Sequence, residues 1–192
     1  MNWMSFLTYT LITAFTPGPN NIMSLSNAGR LGMRRSVPFS FGVLAGFSTV
    51  MLLCTALSTT LYAVLPAIEK PMRFIGAAYL LYLAWKTWKS TGIHEESDLK
   101  TGFWTAYALQ FVNPKGFIYA IVSLETFILP AYHGQPLVMA ALAVMLAFFG
   151  FVSTLCWAGF GSVFRLLFSK HRKTTNAVMA LLLVYCAVSL FL

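Results

Sequence analysis

The chain repeats one pattern along its whole length: a run of roughly 20 apolar residues, then a short polar or basic connection. As a helix, each run is long enough to cross about 30 Å of hydrocarbon. Six runs are readable, at about 4–26, 37–65, 72–90, 104–130, 136–163 and 174–192, and their connections leave no room for a soluble domain. Hydrophobic residues make up 58% of the chain and charged residues only 9%. A soluble domain carries about 25% charge. This chain cannot coat itself for water, so the expected fold is an all-α integral membrane protein, a single domain over 1–192.

The net charge of +8 is of the sign that nucleic acid attracts, but its placement argues against that partner. The bases sit in short segments between apolar runs, without a basic stripe interleaved with stacking aromatics. Arg30, Arg34 and Arg35 follow the first run; Lys86, Lys89 and Lys100 follow the third; Arg165, Lys170, Arg172 and Lys173 follow the fifth. Lys70 and Arg73 stand alone on the other side. The positive-inside rule then puts both termini outside the cytoplasm. Residues 1–15 lack Lys and Arg, and no small-residue cleavage site closes the first run, so no cleavable signal is expected.

Three runs per half is an odd number, so two related halves must insert in opposite senses. The polar segment 91–98 reads as the joint, with one repeat over 1–92 and the other over 100–192. Leu81-Tyr82-Leu83-Ala84 in the third run echoes Val184-Tyr185-Cys186-Ala187 in the sixth, and Cys54 in the second run has a counterpart in Cys156 in the fifth.

Two helix-breaking interruptions fall in corresponding runs, the first and the fourth. Thr16-Pro17-Gly18-Pro19-Asn20-Asn21 divides one, and Asn113-Pro114-Lys115-Gly116 divides the other about half a chain later. Proline removes a backbone donor and glycine adds slack. In hydrocarbon such a break is tolerated only where it is buried in protein or lines a wet cavity. Paired breaks in two halves are the sequence mark of a transporter's binding site. A half-helix starting near Asn20 would aim free N–H groups and a positive dipole end at an anion such as an α-carboxylate. The candidate substrate site is therefore Pro17, Gly18, Pro19, Asn20 and Asn21 with Gln110, Asn113, Pro114 and Lys115. The competing reading is a pair of proline kinks that only shape packing.

Lys115 is the sole basic residue deep within an apolar run. A charge there costs about 2.5–3.5 kcal/mol on insertion scales and should face a cavity or a partner. It could bind a carboxylate, or couple transport to protons, since burial disfavours the charged amine; snorkelling to the interface is the alternative. Glu125 lies near the outer edge of its run, where interfacial hydration is the default reading and a proton-relay role the alternative. Gly42-x-x-x-Gly46 and the small residues Gly150, Ser153, Gly159 and Gly161 suit close helix packing within the monomer, with a homodimer contact as the alternative. Trp3, Tyr9, Trp85, Trp88 and Trp104 crowd the run ends and read as interfacial belt residues.

The Thr16–Asn21 hexapeptide, the segment Gly76-Ala77-Ala78-Tyr79-Leu80-Leu81-Tyr82-Leu83-Ala84-Trp85-Lys86 and the Asn113-Pro114-Lys115 break resemble the lysine-exporter (LysE/RhtB) family, in order and spacing along essentially the whole chain. The resemblance implies a bacterial inner-membrane exporter of small neutral amino acids or their metabolites, cysteine and O-acetylserine first, driven by proton exchange. Its partners would be that substrate, protons and the lipid bilayer.

Two rivals come from other classes. A membrane thiol-redox carrier would work through Cys54 and Cys156, although the broken runs hold no cysteine, there is no C-x-x-C, and buried structural thiols are the default reading. A metal exporter would need carboxylate, imidazole or thiolate ligands within the runs. Apart from Glu125 and scattered cysteines the runs supply none, and His94, His133 and His171 lie between runs. No credible Ser-His-Asp set exists either, so neither catalysis nor a cofactor or resident metal is expected.

Overall fold

The computed structural model describes residues 1–89, 102–164 and 172–191. The joint at 91–98, with His94, and the bases Lys100, Arg165 and Lys170, with His171, lie outside the described residues. Among the described residues the structure is helical, with no strand. The helices are α1 (Trp3–Phe15), α2 (Pro19–Leu31), α3 (Met33–Ala56), α4 (Ser58–Lys89), α5 (Phe103–Leu109), α6 (Pro114–Ser123), α7 (Leu129–Tyr132), α8 (Pro136–Val163) and α9 (Arg172–Ser189).

Punctuation follows local chemistry. Asn2 caps α1 by accepting from the Ser5 N–H at 3.2 Å. The residues Thr16 to Gly18 separate α1 from α2, and Asn113 in extended backbone separates a 3-10 turn (Gln110–Val112) from α6. Both α2 and α6 open with proline at their first position, where its missing N–H costs nothing and its fixed φ suits the helix. Pro19 and Pro114 thus hold the same position in their helices. Gly32, at φ 85°, supplies the left-handed turn that joins α2 to α3.

Two expectations about run boundaries change. The connection expected near 66–71 is helical: the chain breaks at Leu57 instead, and α4 continues past Pro66 and Pro71. A proline removes one intrahelical bond but does not oblige a helix to end. The fourth run also contains a π-type turn, Leu124–Ile128, in which the Leu129 N–H reaches the Leu124 carbonyl. Pro130 follows at once and has no N–H for the normal helical bond, so the wider turn forms where the ladder is already interrupted.

Among the described residues two helices, Met33–Ala56 and Pro136–Val163, are long and apolar enough on their own to cross a membrane; Trp3–Phe15 and Lys173–Val188 are shorter apolar helices. The first and fourth runs are cut into halves by their breaks, so neither forms a single long helix.

Packing is dominated by α2 on α8, α3 on α8, α4 on α9 and α3 on α5. Glycines allow the closest approaches. A Cβ on Gly42 or Gly46 would lie 2.2 Å from the Phe103 carbonyl oxygen or 2.6 Å from that of Tyr107, and one on Gly161 would lie 2.2 Å from that of Leu25. The Gly42-x-x-x-Gly46 motif therefore seats α5 on α3 within one chain.

Two apolar cores result. One joins Phe6, Phe47, Met51, Tyr119, Leu124, Ile128 and Leu146. The other joins Ile22, Met23, Phe39 and Val43 to the inner faces of α4 and α9. Those two faces carry Ala77, Leu80, Leu83 and Ala84 on α4 and Ala180, Leu183, Cys186 and Ala187 on α9, in the same order and spacing. Trp3, Trp85, Trp88 and Trp104 are exposed on the bundle surface, whereas Tyr9 turns inward and stacks on Tyr119 with ring centroids 5.9 Å apart. Tyr9 is thus a packing residue and not part of an interfacial belt. Its position three residues after Phe6 puts it on the same buried helix face.

Candidate substrate site

Breaking a helix between Phe15 and Pro19 strands the last carbonyls of α1, each of which would cost about 1–3 kcal/mol if buried unpaired. Three side chains and one cation answer them. Asn21 Nδ2 donates to the Ala14 and Thr16 carbonyls, both at 2.9 Å. Ser153 Oγ on α8 donates to the Ala14 carbonyl at 2.8 Å, and Trp157 Nε1 donates to that of Phe15 at 3.3 Å. Lys115 Nζ, from the other break, donates to the Thr16 carbonyl at 2.8 Å. The ammonium thus sits at the negative dipole end of α1. Asn21 is a structural residue of the break as much as a candidate ligand.

A second link joins the breaks. Asn20 Nδ2 donates to Gln110 Oε1 at 2.9 Å, and Gln110 Nε2 donates back to Asn20 Oδ1 at 3.1 Å. Gln110 Nε2 also donates to the Ala106 carbonyl at 2.8 Å, which holds the amide in place while its side chain is 1% exposed.

Between these links lies a cavity of ≈ 60 Å³. In a space of that size a few waters fit. Gly18, Pro19, Asn20, Asn21, Gln110, Asn113 and Lys115 all line it. Pro17 does not: it is exposed in the link between α1 and α2. Pro114 does not either, being buried beside a separate apolar cleft with Gly76, Leu80 and Leu190. Their rings shape the chain at the breaks, and the polar neighbours face the cavity.

Sequence reasoning missed much of the wall. Thr13, Val43, Phe47, Tyr119, Gly150 and Thr154 also line the cavity. Tyr119 was detectable, one helical turn after Lys115 on the same face. Phe47 and Val43 carried no signal, because an apolar residue facing a cavity has the same pattern as one in a core. One lining group, Asn113 Oδ1, is buried without a hydrogen-bond partner among the described residues, and the buried Tyr119 hydroxyl lies against that of Thr10. The N–H groups of Asn20 and Asn21 precede the first bond of α2, made by the Ile22 N–H to the Gly18 carbonyl at 2.9 Å. The site therefore offers donors and a cation at one end, and acceptors close by.

A family model described as LysE type translocator matches residues 11–192, a span that includes both breaks. The chain belongs to this translocator family. It is 44% identical over 188 residues, 97% of this chain and 96% of the relative, to the cysteine/O-acetylserine efflux protein of Salmonella choleraesuis strain SC-B67. The protein of the same description from Escherichia coli O1:K1 is also 44% identical, over 190 residues with the same coverage. No solved structure matches the chain.

The remaining candidates lie away from this LysE-type cavity. Glu125 is exposed, beside Thr55 and His133 on a wide cleft of ≈ 1090 Å³ near the ends of α3 and α8. Cys54 is buried in the first apolar core, whereas Cys156 is exposed on α8, so the two cysteines have unlike surroundings. The expectation that all three thiols are buried therefore fails for Cys156, whose helix presents that face outward.

Proposed function

We propose that this LysE-type translocator is a bacterial inner-membrane exporter of small neutral amino acids, cysteine and O-acetylserine first, working by exchange for protons. The observation that carries the reading is the cavity in which the two broken helices meet, bridged by Asn20–Gln110 and Lys115–Thr16. The named activity of the Salmonella and Escherichia relatives supports the substrate class.

The chemistry suits a zwitterion. A carboxylate is served by the free N–H groups opening α2 and by the Lys115 ammonium. An α-ammonium is served by Asn113 Oδ1, the lining acceptor left unpaired, and by the oxygen of the Tyr119 hydroxyl. The small volume and the Phe47 and Gly150 wall favour a short side chain. Lys115 is the proton-coupling candidate: a carboxylate drawing it from the Thr16 carbonyl would change the stability of its charged form.

The same reading takes the six spans as two inverted three-helix repeats, with both termini periplasmic. Three features support it. Proline opens the second half of each broken span; α4 and α9 bury residues at matching positions against each other; and exchanging spans one with four, two with five and three with six maps the dominant packing pairs onto one another.

Counterflow in proteoliposomes under an imposed pH gradient tests the function. Labelled cysteine or O-acetylserine should exchange, and Asn20→Ala or Lys115→Ala should abolish exchange. Full exchange in both variants would place the site elsewhere.

A further inference from the structure

Half-buried hydroxyls in this bundle bond a carbonyl one turn back, as Thr49 does to Ala45 at 2.9 Å and Thr55 to Met51 at 2.8 Å. A fully buried set does not. Ser24, Ser36, Ser40 and Ser123 are at most 1% exposed, and none of their hydroxyls has a partner among the described residues; Asn27 Nδ2 is likewise unpaired. Thr10 is equally buried and its hydroxyl lies against that of Tyr119. An unbonded buried polar group is costly, so a cluster of them calls for a compensating use.

Their spacing leads away from the cavity in two directions. On α2, Asn20, Ser24 and Asn27 fall at i, i+4 and i+7, one helix face. On α3, Ser36 and Ser40 share a face with Val43 and Phe47, at i, i+4, i+7 and i+11. Asn20, Val43 and Phe47 line the cavity, and both stripes run from it toward the Gly32 turn, where Arg30, Arg34 and Arg35 cluster. In the opposite direction, Lys115, Tyr119 and Ser123 share a face of α6, and Thr13 and Thr10 share one of α1. Lys115, Tyr119 and Thr13 again line the cavity. Buried apolar side chains accompany each direction: Ile22, Met23 and Phe39 on the arginine side, and Phe6, Leu124 and Ile128 on the other.

We propose that these stripes are the walls of the transit route, Ser24, Asn27, Ser36 and Ser40 toward the cytoplasm and Thr10, Tyr119 and Ser123 toward the opposite face. The hydroxyls left unpaired in this structure gain water or substrate as partners when the apolar side chains beside them part. An amino-acid zwitterion would then exchange hydrogen bonds with a polar wall over about two helical turns in each direction, about 10 Å. The nature of the cargo rests on the exporter reading; the route itself does not.

Single cysteines at Ser24, Ser40, Thr10 and Ser123, in a protein with Cys54, Cys156 and Cys186 replaced by serine, test the route. The probe is the impermeant cation methanethiosulfonate ethyltrimethylammonium, applied to inside-out and right-side-out membrane vesicles. A protein retaining only Cys54, which is 2% exposed in an apolar core, sets the rate for a merely buried thiol. Ser24→Cys and Ser40→Cys should react at least ten-fold faster than Cys54 from the face bearing Arg30, Arg34 and Arg35. Thr10→Cys and Ser123→Cys should do so from the other face. Rates equal to that of Cys54 at all four positions would overturn the proposal, as would reaction of both pairs from one face. Sided reactivity in a protein that fails to exchange cysteine or O-acetylserine would keep the route and reject those substrates.

Discussion

Asn20 and Gln110, 90 residues apart, exchange two amide hydrogen bonds of 2.9 and 3.1 Å and so lock the two broken helices together. Each amide is both donor and acceptor, so neither can be replaced by a residue with one function alone. Asn20→Leu would leave buried Gln110 with only the Ala106 carbonyl. The expected cost is about 1–3 kcal/mol, seen as a lower thermal midpoint in detergent. The double change Asn20→Leu/Gln110→Leu should lose less than the sum of the two single changes, because both remove one shared interaction.

Gly18 determines where Lys115 can lie. A Cβ at Gly18 would stand 2.9 Å from Lys115 Cδ and 3.0 Å from Nζ. Gly18→Ala should therefore displace the ammonium from the Thr16 carbonyl while the bundle still folds, because the obstructed group is the end of a flexible side chain. Counterflow should fall about ten-fold, which is about 1.4 kcal/mol, with thermal stability nearly unchanged.

The helix-packing glycines should behave in the opposite way. Gly42→Ala and Gly161→Ala place a Cβ 2.2 Å from a backbone carbonyl oxygen, so two helices must separate. Overpacking of this kind costs about 1–3 kcal/mol or more. Gly159 has nothing within 4 Å, and Gly159→Ala should be neutral. Thermal midpoints of the three purified variants check the contrast.

Ser153→Ala removes one of two donors to the Ala14 carbonyl, the other being Asn21. Because Asn21 remains, the loss should be mild, about 0.5–1.5 kcal/mol. Asn21→Leu should cost more, since it takes a donor from two carbonyls at once, leaving Ala14 to Ser153 and Thr16 to Lys115, and takes an acceptor from Ser153. Reversal of that order would show that Asn21 does not hold the break together.

The sequence by itself determined that the chain is helical, that it belongs in a membrane, and that its first and fourth runs are broken. These are local consequences of composition, run length and the backbone chemistry of proline and glycine. It also marked the polar residues of the breaks, because Asn, Gln and Lys stand out against apolar neighbours. Only the tertiary structure decided that Asn20 meets Gln110 and that Lys115 reaches Thr16, since those contacts join segments about half a chain apart. It alone separated Pro17 and Pro114, which shape the breaks, from the residues facing the cavity, and it alone revealed Phe47 and Thr154 in the wall. An apolar or hydroxyl side chain has the same helical spacing whether it faces a core, a lipid or a cavity, and only the packed neighbours distinguish them.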